Sequence, residues 1–272
     1  MVSPESKAQM GKTFPDIVWH YTSHDAALSI VRNKQLWLSN LRYLSDAGEY
    51  VWIFDVIKEY LGTRKRDDAP VHPAIKSRLM LHASKRDLGI SICISCFSSI
   101  PDDEAQWERY ASGGQGVAVG FKADELAAAV ATKHWGCLGP VTYDTSSRSR
   151  QVAAAITYAE ECQRRGKSIL GTRESILAQV AALSKHESFS SEKEFRLVLY
   201  GVPYTMYEFL PRDDTLIPYT VLPISPTCVR SIRVGPRSLP ECLNAWRLLL
   251  AQIGHGMAPP HIELCRSRSS LR

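Results

Sequence analysis

Residues 192–200 read Glu192-Lys193-Glu194-Phe195-Arg196-Leu197-Val198-Leu199-Tyr200. A run of apolar and aromatic residues follows a cluster of charges, and its period decides the fold class. In a strand, alternate residues share a face. Glu192, Glu194 and Arg196 would then point one way, and Phe195, Leu197 and Leu199 the other. Three charges on one strand face are costly if buried without partners. The stretch is therefore either a charged sheet edge, which protects against strand pairing, or the wall of a polar site that needs carboxylates.

Outward from this strand, short apolar runs alternate with helical patterns. Strands are expected at 17–21, 36–39, 90–97, 117–121, 139–143, 194–201, 228–234 and 261–265. Helices are expected after Ser23 and Ser45, over 73–86, 102–111 with Asp102 as cap, 122–132 and 239–253, with two more across the Ala-rich stretch 148–184, broken near Gly166. Strands mixed with helices imply an α+β fold. We expect a disordered stretch over 1–15 and one domain over 16–266, with the helical stretch at about 148–184 as an insertion. The basic, polar run 63–68 reads as a surface loop.

Composition narrows the function classes. The chain has 272 residues, 44% hydrophobic and 22% charged, which is ordinary for a globular protein. It contains no apolar run of about eighteen residues, and the stretch MVSPESKAQMGKTF lacks the apolar segment of a secretory signal. The seven cysteines are scattered. Cys93 and Cys96 form a CxxC inside a strand-like run with no second pair, a poor metal pattern. Reduced thiols, a cytoplasmic location and no metal are the expectation. A net charge of +5 is compatible with a phosphate-bearing ligand and too diffuse to argue for nucleic acid. The basic stretches Arg64-Lys65-Arg66 and Arg230 to Arg237 only weakly motivate a nucleic-acid target.

Four constellations offer chemistry. Trp19-His20-Tyr21-Thr22-Ser23 ends the first strand. His20 there either presents a donor to a ligand or bonds the following loop. Trp107 and Tyr110, three apart on a helix, either stack on a planar ring or pack the core, and Ser98 closes the preceding strand where it would line a cleft. Gly113-Gly114-Gln115-Gly116 resembles a phosphate cradle but leads into a strand, which makes it neither a dinucleotide fingerprint nor a P-loop. The fourth is the Glu192–Arg196 cluster. No HExxH, GxSxG or Walker signature is present.

Taken together and in order, the segments WHYTS, AALSIVRNKQLWLSNLRYLSDAGEY, CFSS, QWERYASGGQGVAVGF, SFSSEKEFRLV and VRSIRVGP resemble the bacterial DUF2971 family from about Ile17 to Cys265. That family is grouped by remote similarity with the ADP-ribosyltransferase fold. The resemblance implies a split, mixed or antiparallel β-sheet core with flanking helices that pinch a cleft for NAD, which is the substrate rather than a resident cofactor. It implies that His20 bonds the nicotinamide-side ribose or amide, that Tyr110 stacks on the nicotinamide ring with Trp107 as support or as the alternative, and that Glu194 accepts a hydrogen bond from the ribose 2′-OH. Glu192 would orient an acceptor, and Arg196 would hold Glu194 or bind a phosphate. Tyr21, Thr22, Ser39 and Ser98 complete the implied cofactor-binding set, although Ser39-Asn40 is only a partial analogue of the family's Ser-Thr-Ser stretch.

The chemistry suits these residue types. Positive charge develops on the ribose carbon as nicotinamide leaves, and a carboxylate stabilises it. The leaving group is already cationic, so one acid suffices where ordinary glycosidases need two. The expected function is ADP-ribosyl transfer to a protein or nucleic-acid acceptor, or NAD hydrolysis. A toxin or phage-defence role would fit such chemistry. The alternative is a non-catalytic module of the same fold that binds a nucleotide or NAD derivative, because fold alone does not establish function.

Overall fold

The computed structural model describes residues 14–44, 48–63, 73–85, 91–133, 136–165, 172–212, 214–254, 259 and 261–271. The expected Ser45 cap, the break at Gly166, the basic run 64–66 and nearly all of the N-terminal stretch lie outside them. In chain order the elements are β1 (Ile17–Thr22), α1 (His24–Asn33), β2 (Gln35–Asn40), α2 (Gly48–Thr63), α3 (Pro73–Lys85), β3 (Ile92–Ser98), α4 (Glu104–Tyr110), β4 (Val117–Lys122), α5 (Ala123–Ala131) and β5 (Gly136–Pro140). They continue with α6 (Thr145–Arg164), α7 (Thr172–Ala182), β6 (Glu194–Tyr200), β7 (Glu208–Arg212), β8 (Thr215–Pro223), β9 (Val229–Val234), α8 (Pro240–Ile253) and β10 (Glu263–Arg266). The chain is a mixed α/β protein whose strand pairs run mostly antiparallel.

Two compact units divide the chain. The first comprises residues 1–35, 97–129 and 223–272, the second 36–96 and 130–222. In the first unit the strand order is β10-β9-β4-β1, and Trp19 of β1 lies opposite Ser98 at the end of β3. β1–β4 and β4–β9 are antiparallel, while β9–β10 is parallel. Helix α1 starts where Ser23 accepts a bond from the Ala26 N–H and buries Ala27, Ile30 and Val31, one stripe at helical spacing. In the second unit the order is β7-β8-β2-β3-β6-β5. Its core gathers Ile53, Phe54 and Ile57 of α2, Ile75 and Leu79 of α3, Val152 and Ile156 of α6, Leu177 and Ala178 of α7, and Ile92, Ile94 and Val198 of the sheet.

Several boundaries differ from the sequence reading. Asp103, not Asp102, caps α4 by accepting from Gln106 N–H at 2.9 Å. Asp102 instead accepts from Trp107 Nε1 at 2.7 Å. The strand expected at 139–143 is β5, three residues earlier. The β7–β8 hairpin was not expected at all, because its three prolines and the exposed apolar residues of β7 break the alternation. Glu192 does not belong to β6. It ends a short 3₁₀ turn, and Lys193 at φ 43° switches the chain into the strand.

Gly116 shows why the Gly-rich turn needs glycine. A Cβ there would sit 2.2 Å from the Thr22 carbonyl oxygen, closer than any side chain tolerates. The turn is a tight crossing of two strand ends, which explains its composition without a phosphate.

Candidate functional site

In the second unit, the acids of the Glu192–Arg196 stretch sit in a buried ion cluster. Glu194 and Arg196 share one face of β6, as the strand period requires, and both are buried, as is Glu192 on the preceding turn. Arg196 grips Glu194 through two donors, Nε to Oε1 at 2.7 Å and Nη2 to Oε2 at 3.1 Å. Its remaining terminal nitrogen, Nη1, donates to the Ala182 carbonyl at the end of α7, at 2.8 Å. Lys185 supplies the second cation. Its Nζ lies 2.8 Å from Glu192 Oε2 and 3.5 Å from Glu194 Oε2, with the Phe189 ring 4.5 Å away. The Tyr143 hydroxyl accepts the Glu194 backbone N–H at 2.8 Å.

The electrostatics follow from this packing. Burial disfavours the charged form of Glu194, but the Arg196 guanidinium, its hydrogen bonds, Lys185 and Cys96 outweigh burial and hold the carboxyl below its usual range. Burial, and then the Glu194 charge, push the Cys96 thiol well above its usual value, so it is no nucleophile. Two carboxylates face two cations. Both Glu194 oxygens are engaged by these cations. Chemically, it can tie α7 to β6 and hold a fixed turn. A ribose hydroxyl reaching Glu194 would have to share oxygens that Arg196 already bonds and Lys185 already contacts.

The first unit holds the remaining expected residues except Ser39, which is half-buried on β2 opposite Ile94 in the second unit. β1 splits them. Trp19 and Tyr21 point to one face, where they pack with Trp107, Ala111 and Ala118. The Tyr21 and Trp107 rings meet edge to face at 4.9 Å. His20 and Thr22 point to the other face, and the His20 ring lies 5.6 Å from that of Phe97. The sheet therefore separates His20 from Trp107 and from α4.

Hydrogen bonding gives several of these side chains fixed partners. The Tyr21 hydroxyl donates to the Ile100 carbonyl at 2.8 Å and accepts from Asp103 N–H at 3.0 Å. Ser98 is buried and accepts from Ile100 N–H. Trp107 is fully buried, whereas Tyr110, three residues on, keeps 43% of its surface.

Two functional-looking features escaped sequence reading. One is Lys185, which lies in a loop with no period to flag it and is recognisable only through its partners. The other is the Asp102 hub. Besides Trp107, it accepts from Ser267 Oγ at 2.6 Å and Arg268 N–H at 2.7 Å, and pairs with Arg233 at 3.2 Å. Burial opposes its charge, but Ser267, Arg268, Trp107 and Arg233 prevail and lower its pKa. The CxxC cannot chelate one ion, because a spacing of three puts Cys93 and Cys96 on opposite faces of β3. Among the described residues, no group of three or more His, Cys, Asp or Glu is placed to hold a metal, and no helix is long and apolar enough to cross a membrane.

Residues 106–197 match the family described as "Protein of unknown function (DUF2971)". This segment belongs to DUF2971. It runs from Gln106, on the buried face of α4, to Leu197 in β6, so it contains Trp107, Tyr110 and the whole ion cluster. The DUF2971 match is narrower than the resemblance read over Ile17 to Cys265. No curated protein and no solved structure gives a match. The DUF2971 segment thus carries a family description without an activity, and its side chains have to supply the functional argument.

Proposed function

We propose that this chain is a non-catalytic module that binds NAD or an NAD-derived nucleotide, and that the Lys185–Glu192–Glu194–Arg196 cluster is its scaffold. One observation carries the second half of that reading. Both oxygens of Glu194 are taken by Arg196, and one also by Lys185, at 5% residue exposure. A carboxylate neutralised in this way gives little stabilisation to an oxocarbenium ion. The ligand-facing residues of this reading are Tyr110 and Arg109 of α4, with Arg237. Tyr110 is the exposed aromatic of the QWERY motif and would stack on a base or nicotinamide. Arg109 precedes it on the helix, and Arg237 reaches Glu108 of the same helix at 3.0 Å and the Gly113 carbonyl at 3.1 Å. They would favour a diphosphate. The ADP-ribosyl likeness of the motifs supports the choice of nucleotide.

A second reading, ADP-ribosyl transfer to a macromolecular acceptor or NAD hydrolysis, is favoured by one feature: Glu194 is held ionised inside the protein. It requires Arg196 to swing away when NAD binds. Calorimetric titration with NAD, ADP-ribose and ADP, run beside an assay for nicotinamide release with and without cell lysate, separates the two. Saturable binding without release, weakened by Tyr110→Ala, supports the module. Release that Glu194→Gln abolishes overturns it in favour of the transferase. Failure to bind any of the three nucleotides overturns both.

A further inference from the structure

The last strand of the second unit's order, β7, exposes all five of its residues. Phe209 keeps 60% of its surface and Leu210 38%, and Leu216 of β8 keeps 55%. The register Glu208–Tyr219, Phe209–Pro218, Leu210–Ile217, Pro211–Leu216 and Arg212–Thr215 puts Phe209, Pro211 and Leu216 on one face. It puts Glu208, Leu210 and Arg212 on the other. Pro211 and Pro218 have no N–H, so the ladder bonds fall on the pairs of Glu208, Leu210 and Arg212. The outward edge of β7 then presents the Phe209 N–H and C=O and the Pro211 C=O.

Natural edges are blunted by charge and proline because an open ladder recruits other strands. This edge carries both devices in a self-complementary arrangement. With a two-fold axis at Leu210, an antiparallel copy sets Glu208 opposite Arg212 twice and Leu210 opposite Leu210. Each Phe209 N–H then donates to the Pro211 carbonyl of the other copy. Slips of four residues set Glu208 on Glu208 or Arg212 on Arg212, which like charges oppose. The missing Pro211 N–H shortens the pairing and keeps it from acting as a general template. The Tyr219 hydroxyl, 2.7 Å from Glu208 Oε2, holds the carboxylate in place at the start of the strand.

We propose that β7 is the pairing edge of a two-fold homodimer, in which Glu208 and Arg212 fix the register and Phe209, Leu210 and Leu216 supply the apolar contact. Such an interface is isologous and closes on itself.

The test is sedimentation of the full chain over a concentration series. Wild type dimerises. Glu208→Arg and Arg212→Glu each weaken the dimer by about tenfold or more, because each replaces two attractive cross-strand pairs by two repulsive ones. The double exchange, Glu208→Arg with Arg212→Glu, restores it. A wild type that stays monomeric throughout, or a double exchange no tighter than the single ones, overturns the proposal. Should a reversal disturb the fold, as seen by circular dichroism, Leu210→Cys decides. The non-hydrogen-bonded pairing brings the two Cα atoms to about 4.5 Å, within disulfide reach. Oxidation then yields a covalent dimer above the wild-type background, and its failure to do so refutes the register.

Discussion

Replacing Lys185 by Met probes the ion cluster most directly. The Lys185 and Glu192 side chains keep 4% and 3% of their surface, and their charged atoms are 2.8 Å apart. Met keeps the length of the side chain and removes the charge. Glu192 then loses the cation 2.8 Å away in a place water scarcely reaches. Breaking a buried pair from one side costs about 3–5 kcal/mol. For a chain of this size that lowers Tm by roughly 6–15 °C. Adding Glu192→Gln to the same chain removes the carboxylate that lost Lys185 and keeps the two-donor Glu194–Arg196 pair. The double variant should recover at least half of the loss, since replacing both members of a buried pair is far cheaper than removing one. Calorimetry on wild type, both single variants and the double variant gives the cycle. A Lys185→Met variant within about 1 kcal/mol of wild type, or a double variant no more stable than the single, would refute the claim that these charges hold the unit together.

Three further outcomes follow from the same geometry. Glu194 has its pKa lowered by folding, so its contribution is fully present above the unfolded value, 4.5, and is lost as pH falls below it through the folded pKa. Glu194→Gln should flatten this acid limb in a urea-midpoint-against-pH series while lowering stability at neutral pH, because Arg196 loses its partner. Asp102→Asn should free the segment 267–271, seen as faster amide exchange there, at a cost of about 1–3 kcal/mol. Gly116→Ala should destabilise the first unit by about 1–3 kcal/mol or more, measured by thermal unfolding, because its Cβ meets the Thr22 carbonyl rather than a side chain that can move.

Most strands and helices were legible because each buries a face with a clean period: Ala27, Ile30 and Val31 on α1, or the continuous apolar run of β4. The hairpin of β7 and β8 was not, since the apolar residues of β7 face solvent and the three prolines of the two strands imitate a loop. Of the candidate residues, Glu194 and Arg196 were correctly placed on one strand face, but their burial was invisible. A charge on a strand reads the same whether water or Lys185 neutralises it, and Lys185 sits seven residues from Glu192 in a loop without pattern. The placement of His20 and Trp107 on opposite faces of the first unit's sheet was likewise hidden. Adjacent residues 19, 20 and 21 all look available in sequence, and only packing with Phe97 on one side and Trp107 on the other tells them apart.

Charge balance finally separates the two functional readings. Stabilising a cationic transition state requires surplus negative potential at the reacting carbon. Glu192 and Glu194 would provide it if they stood alone on a wet face. Lys185 and Arg196 offset those two charges, and the low dielectric around them makes that compensation strong rather than weak. In a transferase built on this cluster, freeing Glu194 means moving a guanidinium that donates to Glu194 twice and to the Ala182 carbonyl. Each bond given up in a buried place carries a cost of about 1–3 kcal/mol, to be met by the ligand before any chemistry begins. A module that only binds would have no such cost, because its ligand would meet Tyr110 at the surface and leave the cluster intact. The same residues therefore yield opposite expectations for one variant. Arg196→Lys, which keeps the charge and loses the two-donor grip, should raise NAD turnover if the cluster is a restrained active site. It should lower only stability if the cluster is a scaffold.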